Sequence, residues 1–469
     1  MEQQPETTFE KINHAIKNSV SVKLLSIGLL IAILLIPNAM IKSLIRERQS
    51  NQEFAAQEVW KKWAAPLELT GPIISIPFEK ELSGEKGAYT VRSYAHFLPE
   101  ELKIDGDITP ETRKRGIYEV IVYSTSLKIA GSFSEFDFSE FTDQPENILW
   151  NEATISMGIP DLRGIQSNIK FSLHKGEYNM EPGIPAYINL DLGQTTSEYG
   201  VSSPVSIDKQ SGVNARINID PSRSTIAFNT TLDIRGTKEL LFNPVGKSTK
   251  IALKSSWQHP SFTGQFLPDD YAIDENGFTS EWSVFDLNRN YPQSWVNRTH
   301  GIEESSFGVN LFQPVDNYQQ NTRSAKYAVL ILFLTFITFF FIEILNKKKI
   351  HPIQYILVGL ALSIFYTLLL SLSEVVGFTT AYIIAAIIII GMLSVYSASI
   401  LQSKKLALTM AGFFSLIYTF IYVILQMEDF ALLVGSFGLL VVLGICMHLS
   451  RKVDWYNIKP TKRIAHESL

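Results

Sequence analysis

Apolar residues are concentrated in six segments of this chain, one near the N-terminus and five near the C-terminus. The first segment is Leu24 to Ile41, and a polar stretch follows it as far as about Arg323. The five later segments follow one another closely, at 327–345, 353–373, 378–400, 406–426 and 430–448. Each has close to the roughly 20 residues that a helix needs to cross a bilayer. The pattern predicts six spans, with one large domain between the first and the second.

Lysine and arginine in the short loops predict the orientation of these spans. Positive residues follow the second, fourth and sixth spans, at Lys347, Lys348, Lys349, Lys404, Lys405, Arg451 and Lys452. The two intervening loops carry Glu374 and the pair Glu428 and Asp429. This alternation places residues 450–469 in the cytoplasm, residues 1–23 on the same side, and the polar domain outside.

The first apolar segment is predicted to be an uncleaved signal anchor, a transmembrane helix over residues 24–45. Its apolar run is longer than the usual core of a signal peptide, and no clear A-x-A cleavage site follows it. Pro37 inside the segment favours a kink. Apolar positions recur with a helical period from Gln49 to Trp63, which predicts a stalk helix over residues 46–66 that ends at Pro66.

Residues 67–323 have the pattern of a β-rich domain. Six runs suit half-buried strands: 73–76, 118–123, 126–129, 168–173, 187–190 and 215–219. Glycine, proline, asparagine and aspartate separate most of them, and no long amphipathic helix intervenes. The predicted fold class is an α+β membrane protein with an antiparallel β-sandwich-like domain and a five-helix bundle. Because Cys446 is the single cysteine, this domain folds without an intrachain disulfide.

Two similar series of short motifs raise the question of a duplication in the β-rich domain. Phe-Leu-Pro occurs at 97–99 and again at 266–268, and each copy precedes a glycine that opens a strand and then a Pro-x-Asp or close variant. The spacing differs between the copies, so coincidence and shared ancestry both stay open. The corresponding modules would cover residues 67–185 and 200–320.

Several longer strings resemble the CreD family of inner-membrane proteins, which is named for cell-envelope integrity. They are GPIISIP at 71–77, RGIY at 115–118, DLRGI at 161–165, SWQHPSFTGQFLP at 256–268, PVDNY at 314–318, KYA at 326–328, HPIQYILVG at 351–359 and LSLSE at 370–374. The resemblance implies a bacterial inner-membrane protein with a periplasmic domain. It also implies a link to envelope stress and to a two-component regulon that responds to cell-wall damage. No catalytic reaction is assigned to the family.

Two acidic residues in or beside the spans are candidates for function. Glu343 is ionisable inside an apolar span, and such carboxylates often mark proton or ion paths. Lys347 lies four residues further on, so an ion pair at the membrane interface is the favoured interpretation. Glu374 closes the third span and could bind a cation or a basic partner. An exposed loop acid that follows the charge asymmetry is the favoured alternative.

Three further candidates lie in the β-rich domain. Asp161 and Arg163 belong to one of the strings that resemble the family. His259 follows Trp257 and precedes Pro260, an order that is typical of a corner between a strand and a turn.

The sequence predicts no catalytic, cofactor-binding or metal-binding residue. His-Glu-x-x-His, Gly-x-Ser-x-Gly and P-loop motifs are absent from it, and its histidines lack metal-ligand spacing. A net charge of −5 without a basic stripe argues against nucleic acid as a partner. The expected partners are the lipid bilayer and a periplasmic protein, lipid or glycan. The predicted function is binding or scaffolding that supports the envelope.

A secondary transporter or ion-coupled carrier is the alternative function. Transporters usually have paired repeats and helices that proline or glycine interrupts near the middle of the membrane. The five C-terminal segments lack internal proline, and an odd number of spans gives no simple inverted repeat. Transport therefore ranks second.

Overall fold

A computed structural model describes residues 20–84, 87–190, 211–302, 305–311, 317–346, 348, 350–427 and 430–451. The chain divides into two compact units. Residues 1–51 and 315–469 form the helical unit, and residues 52–314 form the β unit. The fold class is an α+β membrane protein, as predicted.

Six helices in the described part of the chain are long and apolar enough to cross a membrane. They are α1 (Val20–Lys62), α3 (Ala328–Leu345), α4 (Pro352–Val376), α5 (Phe378–Leu401), α6 (Lys404–Gln426) and α7 (Ala431–Ser450). A short helix, α2 (Asn317–Lys326), precedes α3. The five later predicted spans coincide with α3 to α7 to within a few residues. The predicted anchor and stalk are parts of one helix, α1, which continues through Pro37.

The start of α4 explains one of the strings that resemble the family. His351 is the N-cap residue, and its ring accepts a hydrogen bond from the Ile353 N–H at 3.3 Å. The Gln354 side chain in turn accepts one from the His351 N–H at 2.9 Å, which completes a capping box. Pro352 at the first helical position needs no partner for an N–H. The string His-Pro-Ile-Gln is thus a helix start.

The described residues of the β unit form two sheets. Their strands are β1 (Leu67–Gly84), β2 (Gly87–Phe97), β3 (Glu101–Arg115), β4 (Tyr118–Ser134), β5 (Thr154–Gly158), β6 (Lys170–Leu173), β7 (Gly176–Asn179), β8 (Glu181–Pro182), β9 (Gly212–Arg216), β10 (Thr225–Thr237), β11 (Glu239–Phe242), β12 (Ser248–Ser255), β13 (Pro260–Gly264), β14 (Asp270–Asp274), β15 (Gly277–Phe285), β16 (Ser294–Val296) and β17 (Phe307–Leu311).

The first sheet has the order β13-β17-β11-β1-β5-β9-β8, with β2 also paired to β1 and β16 paired to β2. The second sheet has the order β14-β15-β12-β3-β4-β10-β6-β7. Most pairs are antiparallel, as predicted. Each sheet also contains one parallel pair, β1 with β11 and β3 with β12, so the sheets are mixed.

The two predicted modules do not form separate sheets. Each parallel pair joins a strand from the first half of the β unit to one from the second half. Both Phe-Leu-Pro motifs come just before a hairpin of the second sheet, β3–β4 and β14–β15. Shared ancestry of the two halves stays a prediction.

One predicted strand is wrong. Residues 187–190 form a turn and an irregular segment, which begins where the Ile188 N–H bonds to the Pro185 carbonyl at 3.2 Å. Ile188 and Leu190 are both buried, and they produce the alternation of apolar residues that resembles a strand. Alternating burial here comes from packing against the core without strand pairing. The runs 118–123 and 126–129 are parts of one long strand, β4.

A contiguous apolar core joins both sheets of the β unit. Buried and exposed residues alternate along β10, as expected of a strand with one face on the core. Aromatic rings form part of this core, and the Phe228 ring contacts the rings of both Phe133 and Phe171.

We predict that Gly131→Ala destabilises the β unit. A Cβ atom at Gly131 would lie 2.0 Å from the Glu101 carbonyl oxygen and 2.7 Å from Phe228 Cζ, so the strand pair or the ring must move. Overpacking of this kind costs about 1–3 kcal/mol. Thermal unfolding of the purified full chain measures the loss. Ser132→Ala, at the next position in β4, is the control, and equal melting of both variants would contradict the prediction.

Candidate functional site

Asp161 and Arg163 fasten the end of α1 within the β unit. The Asp161 carboxylate accepts hydrogen bonds from the backbone N–H groups of Arg163, at 3.1 Å, and Ala65, at 2.9 Å. The Arg163 side chain donates to both Asp161 oxygens, at 2.8 Å from Nε and 2.7 Å from Nη2. Arg163 Nη1 also donates to the carbonyl of Lys61. We call Asp161, Arg163, the Ala65 N–H group and the Lys61 carbonyl the stalk clamp.

The stalk clamp satisfies backbone groups that the end of a helix leaves without partners. The last carbonyls of α1 have no intrahelical donor, and the Arg163 guanidinium supplies one to Lys61. A cation at a helix C-terminus also interacts favourably with the helix dipole. Burial raises the pKa of Asp161, but the hydrogen bonds from Arg163 and Ala65 outweigh that effect and leave the pKa below its usual value.

Contacts around Trp63 complete this junction. The guanidinium groups of Arg113 and Arg235 lie over its ring at 4.8 Å and 4.4 Å. Thr237 donates a hydrogen bond to the carbonyl of Ala64 at 3.0 Å. Gly164 closes the junction, because a Cβ atom there would lie 2.4 Å from the Arg235 carbonyl oxygen. The clamp therefore belongs to a packed joint between helix and sheet.

Glu343 lies in a buried cluster at the end of α3. Its side chain is 3% exposed, and its Oε1 atom is 2.6 Å from Lys23 Nζ in α1. It also accepts hydrogen bonds from the Tyr355 hydroxyl and the Ile350 N–H, each at 3.1 Å. We call Lys23, Glu343 and Tyr355 the Glu343 cluster. Lys347, the partner predicted from sequence, lies outside the described residues.

The Glu343 cluster joins three helices near one end of the helical unit. Lys23 lies near the start of α1, Glu343 near the end of α3 and Tyr355 near the start of α4. An ionisable group among apolar helices needs such partners, because an unpaired charge there is costly. Lys23 also precedes the first span, so the positive-inside rule already assigns it to the same side as the lysines after the second span. The position of Lys23 before the first span was thus the sequence feature that could have indicated its pairing with Glu343.

Glu374 lies in the last turn of α4 and is half-buried rather than exposed in a loop. Its Oε1 atom accepts a hydrogen bond from the Tyr318 hydroxyl at 2.9 Å. The neighbouring Ser373 accepts two more from α2, at its carbonyl from Asn317 (3.1 Å) and at its hydroxyl from Asn321 (2.7 Å). Two strings that resemble the family, at 314–318 and 370–374, therefore meet here.

His259 is exposed between β12 and β13, at the predicted corner. Its backbone carbonyl accepts a hydrogen bond from the Trp257 indole at 3.0 Å. Asp161 and Arg163 share the stalk clamp, Glu343 and Glu374 lie near opposite ends of α4, and His259 lies in the loop before β13. The structure thus gathers only Asp161 and Arg163 into one site.

Ser75 and His96 form a polar pair that local sequence patterns do not reveal. They lie directly opposite each other on β1 and β2, with 2.8 Å between Ser75 Oγ and His96 Nδ1. Both residues are 0% exposed, and the Trp295 ring lies 5.4 Å from the imidazole. Burial lowers the pKa of His96 to about 4. A substrate has no access to this pair, so it serves as a buried polar contact between strands.

No group of three or more His, Cys, Asp or Glu side chains that could hold a metal ion occurs among the described residues.

Comparisons with known proteins agree with the resemblance seen in the sequence. The family described as "Inner membrane protein CreD" matches residues 19–456. The curated Inner membrane protein CreD of Escherichia coli (strain K12) is 32% identical over 460 residues, which cover 97% of this chain and 98% of that protein.

We predict that Lys23→Met destabilises the helical unit more than Glu343→Gln does. Loss of Lys23 leaves a buried carboxylate without its cation, which costs about 3 kcal/mol. A glutamine at 343 still accepts hydrogen bonds, and Lys23 is exposed enough to reach solvent. The double variant should recover most of the loss from Lys23→Met.

Thermal unfolding of the full chain in detergent measures these differences. Lys405→Met, at an exposed position near the start of α6, is the matched control. Equal stability of Lys23→Met and Lys405→Met would show that the ion pair contributes nothing.

We predict that His96 makes the β unit less stable in acid. The folded protein keeps the imidazole neutral, with a pKa of about 4 against about 6.5 in the unfolded chain. The unfolded state therefore binds the proton first, and stability present above pH 6.5 is lost as the pH falls to about 4. The total loss is about 3 kcal/mol.

Urea unfolding of the full chain between pH 7.5 and pH 4 tests this dependence through tryptophan fluorescence. His96→Gln should flatten the profile in that interval, whereas the exposed His259→Gln should keep the slope of the unaltered chain. A slope that His96→Gln leaves unchanged would assign the acid sensitivity to other groups.

Proposed function

We propose that this chain, which belongs to the CreD family of inner-membrane proteins, supports the integrity of the cell envelope by binding or scaffolding. In this proposal the β unit is periplasmic, both termini are cytoplasmic and no reaction is catalysed. The partner is an envelope protein, lipid or glycan. The function extends to tolerance of envelope stress.

The stalk clamp is the observation that carries this proposal. Asp161 and Arg163 are fully engaged with each other and with backbone groups at the end of α1. Their charges therefore hold a helix and a sheet together and leave little capacity for chemistry on a substrate. Residues engaged in this way suit a β unit that presents a binding surface rather than one that catalyses a reaction.

The directions of the helices support the proposed orientation. The Glu343 cluster brings together the start of α1, the end of α3 and the start of α4. Helices α1 and α4 therefore point the same way, with α3 opposite, as successive spans require. The lysines that follow the second and fourth spans then favour the cytoplasm for this end.

Transport is the second candidate, and Glu343 is the observation that favours it. An ionisable residue buried among membrane helices is a candidate for a proton or ion path. It ranks second because Lys23, Tyr355 and the Ile350 N–H already occupy the carboxylate. A transported ion would have to displace these partners.

We predict that loss of the stalk clamp impairs the function while a similar exposed ion pair is dispensable. Cells that lack the protein are complemented with variants that are present in the membrane in equal amounts, and are then challenged with envelope stressors. Arg163→Gln should rescue poorly, because the carbonyl of Lys61 and the carboxylate of Asp161 lose the hydrogen bonds from the Arg163 guanidinium. Arg223→Gln, which breaks the exposed pair with Asp220, should rescue fully.

Further variants of the chain separate the candidate functions. A chain without residues 52–314 should fail to rescue if binding by the β unit is the function. Full rescue by that chain, together with a proton-coupled flux in proteoliposomes that Glu343→Gln abolishes, would establish transport instead. Turnover that a single polar substitution in the β unit removes would establish an enzyme.

A further inference from the structure

A groove of about 540 Å³ lies between α1 and α4 within the helical unit. Met40, Leu44 and Glu47 of α1 line one wall, and Leu360, Ile364 and Thr367 of α4 line the other. Both helices are long and apolar enough to cross a membrane. The groove is therefore part of a surface that faces the bilayer.

The groove opens just beyond a point where the two helices are in close contact. A Cβ atom at Gly359 would lie 2.2 Å from Leu34 Cδ1, so a larger residue there would displace the Leu34 side chain. Pro37 comes one turn after Leu34, and its missing N–H removes a hydrogen bond from α1. The contact between Leu34 and Gly359, followed by Pro37 one turn further along α1, accounts for the groove that opens beyond them.

The dimensions of the groove suit one lipid chain. The segment from Pro37 to Glu47 rises about 15 Å along a helix, which is half of the roughly 30 Å hydrocarbon core. The groove thus has the depth of one leaflet. Met40 and Ile364, on opposite walls, are well exposed and apolar. Acyl chains are the molecules that surround such a surface in a bilayer.

Charges at one end of the groove indicate which headgroup fits. Glu47 lines that end, and Arg48 follows it one turn beyond Leu44 on the same side of α1. Both side chains are exposed. A carboxylate beside a guanidinium complements a headgroup that carries an ammonium and a phosphate, because each charge then meets its opposite. An anionic headgroup would bring its negative charge close to Glu47.

We propose that this groove binds phosphatidylethanolamine, with one acyl chain between α1 and α4, the ammonium at Glu47 and the phosphate at Arg48. The inference is independent of the function proposed above. It assigns a specific lipid to a membrane surface that no part of that function requires.

Native mass spectrometry of the full-length protein in detergent, with phosphatidylethanolamine added, tests whether the lipid's acyl chain binds in the groove. Ile364→Trp places a larger side chain in the groove and should lower retention of the lipid at least about fivefold. Ile383→Trp places the same ring on α5 and is the control, because Ile383 is 50% exposed and Ile364 is 58% exposed. Equal retention by both variants would mean that lipid binds only as part of the general annulus and would overturn the proposal.

Competition between phosphatidylethanolamine and phosphatidylglycerol tests whether Glu47 and Arg48 recognise the headgroup. The unaltered chain should prefer phosphatidylethanolamine about fivefold, and Glu47→Gln should abolish that preference. Arg48→Gln should weaken binding of both lipids, whereas Arg46→Gln should not, because Arg46 lies about 200° around the helix from Arg48. A preference for phosphatidylglycerol in the unaltered chain would overturn the proposal.

Discussion

The change from helix to sheet between Lys62 and Leu67 is the constraint on which the β unit depends. The backbone groups at the end of α1 need partners, and Asp161 and Arg163 supply them from the turn after β5. β1 begins directly afterwards and pairs with β11, β5 and β2 at successive positions. The stalk clamp therefore fixes the start of β1, the strand that pairs with β11, β5 and β2 in the first sheet.

A related principle governs the helical unit, where side chains of neighbouring helices form hydrogen bonds near both ends of α4. Tyr355 bonds to Glu343 near one end, and Ser373 and Glu374 bond to α2 at the other. Between them, Gly359 lets α1 approach closely. Polar groups in a bilayer must be satisfied within the protein, and here Glu343 and Glu374 each accept a hydrogen bond from a neighbouring helix. These acids hold helices together, which favours a binding role over a path for ions.

Local patterns in the sequence were sufficient for the six long helices and for strands β1, β4, β6 and β9. Span length, the lysines after the second span and the helical period from Gln49 to Trp63 depend only on neighbouring residues. The pairing of Lys23 with Glu343, the contact of Ser75 with His96 and the parallel pair of β1 with β11 join residues far apart in sequence. Periodicity carries no information about such pairs. It also failed at 187–190, where core packing alone imitates a strand.

The strings that resemble the family acquire a common physical meaning from these contacts. Asp161 and Arg163 clamp a helix to a sheet, His351 and Gln354 cap a helix, and the strings at 314–318 and 370–374 bond to each other. Two of these contacts join different elements and the third caps the start of α4, so all of them lie where elements of the fold end or meet. Glu47 and Arg48 lie outside these strings and remain free of such joints. Residues of this second kind, exposed and unconstrained by the architecture, are where a ligand can be recognised without disturbing the fold.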